Sequence, residues 1–178
     1  MQAVYNLRSW ELAMNRKHDS MEVEIGKLLL QHGLKLGLAE SCTGGLTGHR
    51  ITNVPGSSEY FIGGVISYAY EAKVSILGVS WDTLKTFGAV SHETVLEMAR
   101  GAKKIFNVDV AVSISGIAGP GGGSDDKPVG TIWVGLVAND GEWTREFHFA
   151  GDREGNKTSS ADAALQMLLD YLLGKIDE

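Results

Sequence analysis

Apolar residues along this chain alternate between a two-residue and a three-to-four-residue period, and the alternation predicts strands separated by helices. Ser20 reads as a helix cap, with Val23, Ile25, Leu28 and Leu29 facing inward and His32-Gly33 as the stop. Strand patterns follow at 34–39, 61–68 and 108–115. A helix is expected from near Thr43 to Thr52, short helices at 71–77 and 81–86, and a long one from a Ser91 cap to Phe106, with Val95, Met98 and Ala102 on one face. Two further strands, 131–138 and 143–149, are joined by Asn139-Asp140-Gly141, a hairpin signal. A closing helix is expected over 159–173.

Strands alternating with helices imply an α/β fold with helices on both sheet faces, and the late hairpin makes the sheet mixed. Residues 20–178 read as one domain. Residues 1–19 read as an N-terminal extension, in which Val4, Leu7, Trp10 and Met14 recur at helical spacing. Such a segment would pack on the domain or on a neighbouring subunit.

Composition narrows the function. A formal charge of −6 over 178 residues argues against a nucleic-acid partner, which needs a basic surface. No apolar run is long enough to span a membrane, and the first residues lack the apolar core of a signal peptide. With one cysteine no internal disulfide can form, and a reducing cytoplasm is expected. No two of the five histidines stand at metal-ligand spacing, so no metal or other cofactor is expected.

Three segments rich in glycine and hydroxyl groups sit at or near predicted strand ends, where ligands bind in such sheets. The first is Ala39-Glu40-Ser41-Cys42-Thr43-Gly44-Gly45, joining a strand to a helix. Amides of Thr43, Gly44 and Gly45 at a helix start would favour an anion, and Ser41 could aim its hydroxyl at a ligand. The second runs from Pro55-Gly56-Ser57-Ser58 to Tyr68 and Lys73. A serine hydroxyl needs a base, and a neutral lysine can serve, although spacing alone does not bring these groups together. The third, Ser115 through Gly123 and Ser124, could wrap a phosphate or ribose through its amides, with Lys127-Pro128 closing over it. It lacks the Gly-Lys-Ser/Thr ending of an ATP-binding loop. Arg153, after the last strand, suits a phosphate or carboxylate. Cys42 is a weaker candidate nucleophile.

Together these segments resemble the C-terminal domain of the CinA family, whose stand-alone members include nicotinamide mononucleotide deamidase. The likeness extends to Gly88-Ala89-Val90-Ser91, Lys127-Pro128-Val129-Gly130-Thr131 and Gly151-Asp152-Arg153. It implies a three-layer α/β/α sandwich with a mixed, mostly parallel sheet of about five strands. It also implies an amidohydrolase that hydrolyses the carboxamide of nicotinamide mononucleotide by a serine–lysine mechanism. On this resemblance Ser58 is the first choice of nucleophile and Lys73 the base, with Ser41 and Tyr68 assisting and Ser41 the alternative nucleophile. Thr43, Gly44, Gly45, Ser115, Gly116, Gly119, Gly122, Gly123 and Arg153 would hold the substrate.

The chain departs from the family pattern twice. Ala69-Tyr70 replaces a small hydroxyl residue and asparagine. Gly155-Asn156-Lys157 follows Gly-Asp-Arg, where a second arginine is usual. The alternative reading is a non-catalytic pyridine-nucleotide sensor that keeps the pocket. The expected partners are a small-molecule nucleotide and, as a homo-oligomer, further copies of the chain.

Overall fold

The computed structural model describes residues 20–176. The N-terminal extension and its expected helix lie outside them. Chain order is α1 (Met21–His32), β1 (Leu36–Glu40), α2 (Leu46–Thr52), a single 3₁₀ turn (Ser57–Glu59), β2 (Phe61–Ile66), α3 (Tyr70–Leu77), α4 (Trp81–Phe87), α5 (His92–Phe106), β3 (Val110–Gly116), β4 (Thr131–Val137), β5 (Glu142–His148) and α6 (Arg153–Leu172).

The five strands form one mixed sheet in the order β2-β1-β3-β4-β5. β1 pairs in parallel with both β2 and β3, and the β3–β4 and β4–β5 pairs are antiparallel. Four strands therefore run one way and β4 the other. After β1 the chain steps to one side to form β2, then crosses back to place β3 on the other side. The carboxyl end of β1 is thus a topological switch point, where α/β sheets open a crevice.

Helices cover both faces, as the alternating periods require. Leu36 and Leu38 of β1 join the core formed with Ile25 and Leu29 of α1, Ile51 of α2 and Leu165 and Leu168 of α6. Ala39 joins the opposite core with Leu77, Leu84 and Met98, from α3, α4 and α5. β3 is buried along nearly all its length, as a central strand between two layers should be. The outer edges differ. β5 carries Glu142, Arg145, Glu146 and His148, whereas β2 carries no charge.

Helix ends follow their cap chemistry. Ser91 Oγ accepts the Thr94 amide, and Ser80 Oγ accepts that of Asp82. Gly33 ends α1 in the left-handed conformation. Val23 and Leu28 are only half-buried, so Ile25, Gly26 and Leu29 form the inner stripe of α1. The closing helix begins six residues earlier than expected, at Arg153. Asp152 caps it, its carboxylate accepting the Gly155 amide, so the polar run 154–159 is helical despite lacking an apolar stripe.

One close approach fixes α3, which carries Lys73. A Cβ on Gly101 of α5 would lie 2.0 Å from the Leu77 carbonyl oxygen at the end of α3. In an open helix Gly→Ala stabilises by about 1 kcal/mol. Here the sign reverses, because overpacking against backbone outweighs propensity. Gly101→Ala is expected to destabilise by at least about 2 kcal/mol in urea unfolding.

Candidate active site

Strand alternation builds the centre of the crevice. Leu38 faces the α1–α6 layer and Ala39 the α5 layer, so Glu40 and Ser41 diverge to opposite faces. Glu40, 2% exposed, turns toward α2. Its Oε2 accepts the amides of Gly45 (3.0 Å) and Thr47 (3.1 Å), and its Oε1 that of Gly48 (2.8 Å). This corrects the anion site expected at the helix start as far as Gly44 and Gly45 are concerned. Helix α2 starts at Leu46, and the chain's own carboxylate fills its amino terminus. The Gly44 amide is also taken, by the Ser41 carbonyl. Gly44 and Gly45 matter through their backbone, with φ of 64° and 98°, values that disfavour a side chain. Within the turn, the amides of Cys42 and Thr43 have no main-chain acceptor among the described residues.

On the opposite face Ser41 meets Lys73. Lys73 Nζ lies 2.9 Å from Ser41 Oγ, 2.6 Å from the Ser67 carbonyl oxygen and 3.4 Å from that of Tyr68. The lysine is 1% exposed and Ser41 8%. No carboxylate meets the ammonium within the salt-bridge distance among the described residues. Burial depresses the Lys73 pKa to about 8, against an opposing pull from Cys42. Burial also raises the Cys42 thiol to about 11, so Cys42 is a poor nucleophile at neutral pH.

Ser58 does not join this group. It lies exposed in the 3₁₀ turn before β2, whereas Lys73 lies beyond the other end of that strand. Six strand residues separate the two ends by roughly 20 Å. Sequence order could not reveal this, because Ser58 and Ser41 both precede Lys73 and only strand direction tells them apart. Tyr68 meets Lys73 through its carbonyl alone. Its phenol oxygen accepts from Arg153 at 3.0 Å.

The third segment is tied down at both ends. Ser115 is buried, and its hydroxyl donates to the Ala89 carbonyl at 2.6 Å, so it braces the α4–α5 connector instead of facing a ligand. Gly116 continues β3, where an added Cβ would meet Ile132 at 2.2 Å. The Gly119 carbonyl accepts from Arg153 at 2.6 Å. The exposed Gly122 and Gly123 face their own loop, toward Ile117 and the Pro128–Val129 backbone respectively. Lys127 does not hang free over the crevice. Its ammonium donates to the carbonyls of Phe87 (2.6 Å) and Val90 (2.7 Å).

Glu40 stood in the sequence only as part of its segment, and Asn156 and Lys157 only as departures from the family pattern. A cavity of about 580 Å³ opens beside the Ser41 turn, lined by Leu46, Asp152, Arg153, Glu154, Lys157 and Thr158. Lys157 Nζ lies 3.7 Å from where a Gly44 Cβ would stand, with no hydrogen bond or ion pair among the described residues. No group of three or more metal-ligating side chains gathers among the described residues, and no helix there is long and apolar enough to cross a membrane.

The family model of the CinA C-terminal domain matches residues 18–172. The chain belongs to this family. It is 48% identical over 157 residues to a CinA-like protein of Thermotoga maritima, covering 88% of this chain and 38% of that protein. It is 48% identical over 158 residues to one of Chlorobium limicola, covering 86% and 37%. The chain therefore spans about two fifths of the length of these curated relatives. Among solved structures it is similar to the competence damage-inducible protein A (ComA) of Klebsiella pneumoniae (TM-score 0.83, 33% identity, 86% of this chain and 95% of that one). It is likewise similar to competence/damage inducible protein CihA of Agrobacterium tumefaciens (0.80, 37%, 89% and 99%).

The Ala69-Tyr70 departure from the CinA pattern has a structural counterpart. Ala69 holds the cap position of α3 without a side-chain cap bond, and the Tyr70 hydroxyl accepts the Ala89 amide at 3.3 Å. Tyr70 thus ties α3 to the connector that Lys127 also grips.

Two stability measurements follow. Glu40→Gln removes a charged acceptor and turns an NH₂ toward amide donors, so it is expected to cost about 2 kcal/mol in denaturant unfolding. For Lys73 the folded pKa lies below the ordinary 10.5, so between about pH 8 and 10.5 the unfolded chain holds more protons than the native one. Stability from this group should rise with pH across that window, and Lys73→Met should abolish the rise.

Proposed function

We propose that this chain is an amidohydrolase that converts the carboxamide of nicotinamide mononucleotide to the carboxylate and releases ammonia, with Ser41 as nucleophile and Lys73 as base. The 2.9 Å contact between Lys73 Nζ and Ser41 Oγ, buried and without a carboxylate partner, carries the reading. A neutral lysine has two N–H groups and one lone pair. The carbonyls of Ser67 and Tyr68 can take the two N–H groups, which aims the lone pair at the Ser41 hydroxyl.

Ser41 Oγ then attacks the carboxamide carbon as its proton passes to Lys73. The turn amides of Cys42 and Thr43 are the candidate donors to the resulting oxyanion. The C–N bond breaks, the leaving nitrogen takes the proton from Lys73, and water hydrolyses the acyl-enzyme with Lys73 again as base. Arg153 and Lys157 supply positive charge for the 5′-phosphate, in a cavity beside the nucleophile turn.

A second reading, a nucleotide sensor without turnover, draws on the near-complete burial of Ser41 and Lys73. Ammonia release decides between them. Ser41→Ala and Lys73→Met should each lower kcat by about 10³-fold or more, and the double variant by little more. Ser58→Ala should stay within about twofold of wild type, and a collapse of its activity would refute Ser41 as the nucleophile. Below its pKa Lys73 is an ammonium and cannot accept a proton. kcat/KM should therefore rise with pH through a midpoint near 8. Wild type that binds the nucleotide but releases no ammonia would be a sensor.

A further inference from the structure

Asn156 lies in the first turn of α6, three residues after Arg153 and fully buried. Its Nδ2 donates to the Ala118 carbonyl at 3.1 Å, and its Oδ1 accepts the Gly151 amide at 3.0 Å. The orientation of the side-chain amide is fixed by these partners, since a backbone N–H can only donate and a carbonyl only accept. Residues three apart on a helix share a face. Asn156 and Arg153 therefore hold adjacent carbonyls of the glycine loop, Ala118 and Gly119. The two holds differ in kind. Arg153 is exposed and is the group that would meet a substrate anion, whereas Asn156 is sealed from solvent and meets only protein.

We propose that Asn156 is the positioning residue that keeps the glycine loop docked on the start of α6, and so sets how tightly the crevice binds the phosphate end of its nucleotide. The inference rests on the nucleotide reading of the site given above. An anion that draws the guanidinium of Arg153 toward itself weakens the bond to Gly119. The Asn156 bond to Ala118 then keeps the loop in place, so Arg153 need not carry both tasks. The same amide fixes Gly151, two residues before Arg153, from the other side. A hydrophobic residue of similar size would leave the Ala118 carbonyl and the Gly151 amide unpaired and free the loop from the helix.

The test is calorimetric binding of nicotinamide mononucleotide and nicotinamide riboside to wild type, Asn156→Leu and Asn156→Asp, with ammonia release in parallel. Asn156→Leu, which loses both hydrogen bonds, is expected to weaken nucleotide binding about tenfold and riboside binding less than twofold. KM for the nucleotide should rise by a similar factor while kcat falls by less. Asn156→Asp keeps an acceptor for Gly151 but loses the donor to Ala118, and its loss should lie between wild type and Asn156→Leu. If Asn156→Leu does not fold, Asn156→Asp decides. Unchanged nucleotide affinity in a folded variant, or an equal loss for nucleotide and riboside, overturns the proposal. Wild type that binds the nucleotide without releasing ammonia overturns the amidohydrolase reading alone, because the Asn156 comparison is made on binding. Wild type that binds neither compound overturns both.

Discussion

The turn at the candidate site depends on a carboxylate that no cation among the described residues neutralises within the salt-bridge distance. Glu40 is buried at the end of β1, with the backbone amides of Gly45, Thr47 and Gly48 at the start of the following helix as its partners. An unpaired buried charge is costly, and amides at a helix start are among the few neutral groups that can repay it. The bond set joins strand end to helix start across the very residues that carry Ser41. The turn is thereby fixed from beneath, while its hydroxyl faces the other way. A further anion has no room at that helix terminus, and the positive charge nearby lies instead on Lys157 and Arg153.

Lys73 shows the complementary choice. A lysine that faced a carboxylate would be held protonated and useless as a base near neutral pH. Here its short contacts are a hydroxyl and two carbonyls. Burial favours the neutral amine, and the polar groups accept its hydrogens without adding negative charge. The close fit of Gly101 against Leu77 keeps α3, and with it the amine, at its depth.

The layer order, the hairpin and the Ser91 and Gly33 helix ends were legible in the sequence because each is local. Ser91, Gly33 and Asn139-Asp140-Gly141 act within a few residues of themselves. The start of α6 was not legible, because it rests on the Asp152 cap and not on an apolar stripe. The site was legible as a set of segments, but the pairing of Ser41 with Lys73 depends on which strand end faces which helix. The resemblance favoured Ser58, and strand direction placed it at the wrong end of β2. Glu40 was not singled out beside Ser41, because its role appears only once the alternation along β1 turns it toward α2. Ser115 misled for the opposite reason, since a serine in a glycine run gives no sign that its hydroxyl is spent on a carbonyl 26 residues away in sequence.

The anchoring of the glycine loop also has a mechanical consequence. Arg153 and Asn156 grip it just after β3, and Lys127 grips it just before β4. A segment pinned at one end can swing like a door. One pinned at both can only bow, as a bridge deck does between its piers. Its compliance is concentrated in the exposed span between the pins, 120–126, which carries Gly121, Gly122 and Gly123. The loop is therefore a short glycine arch whose two piers stand on different helical layers of the sandwich.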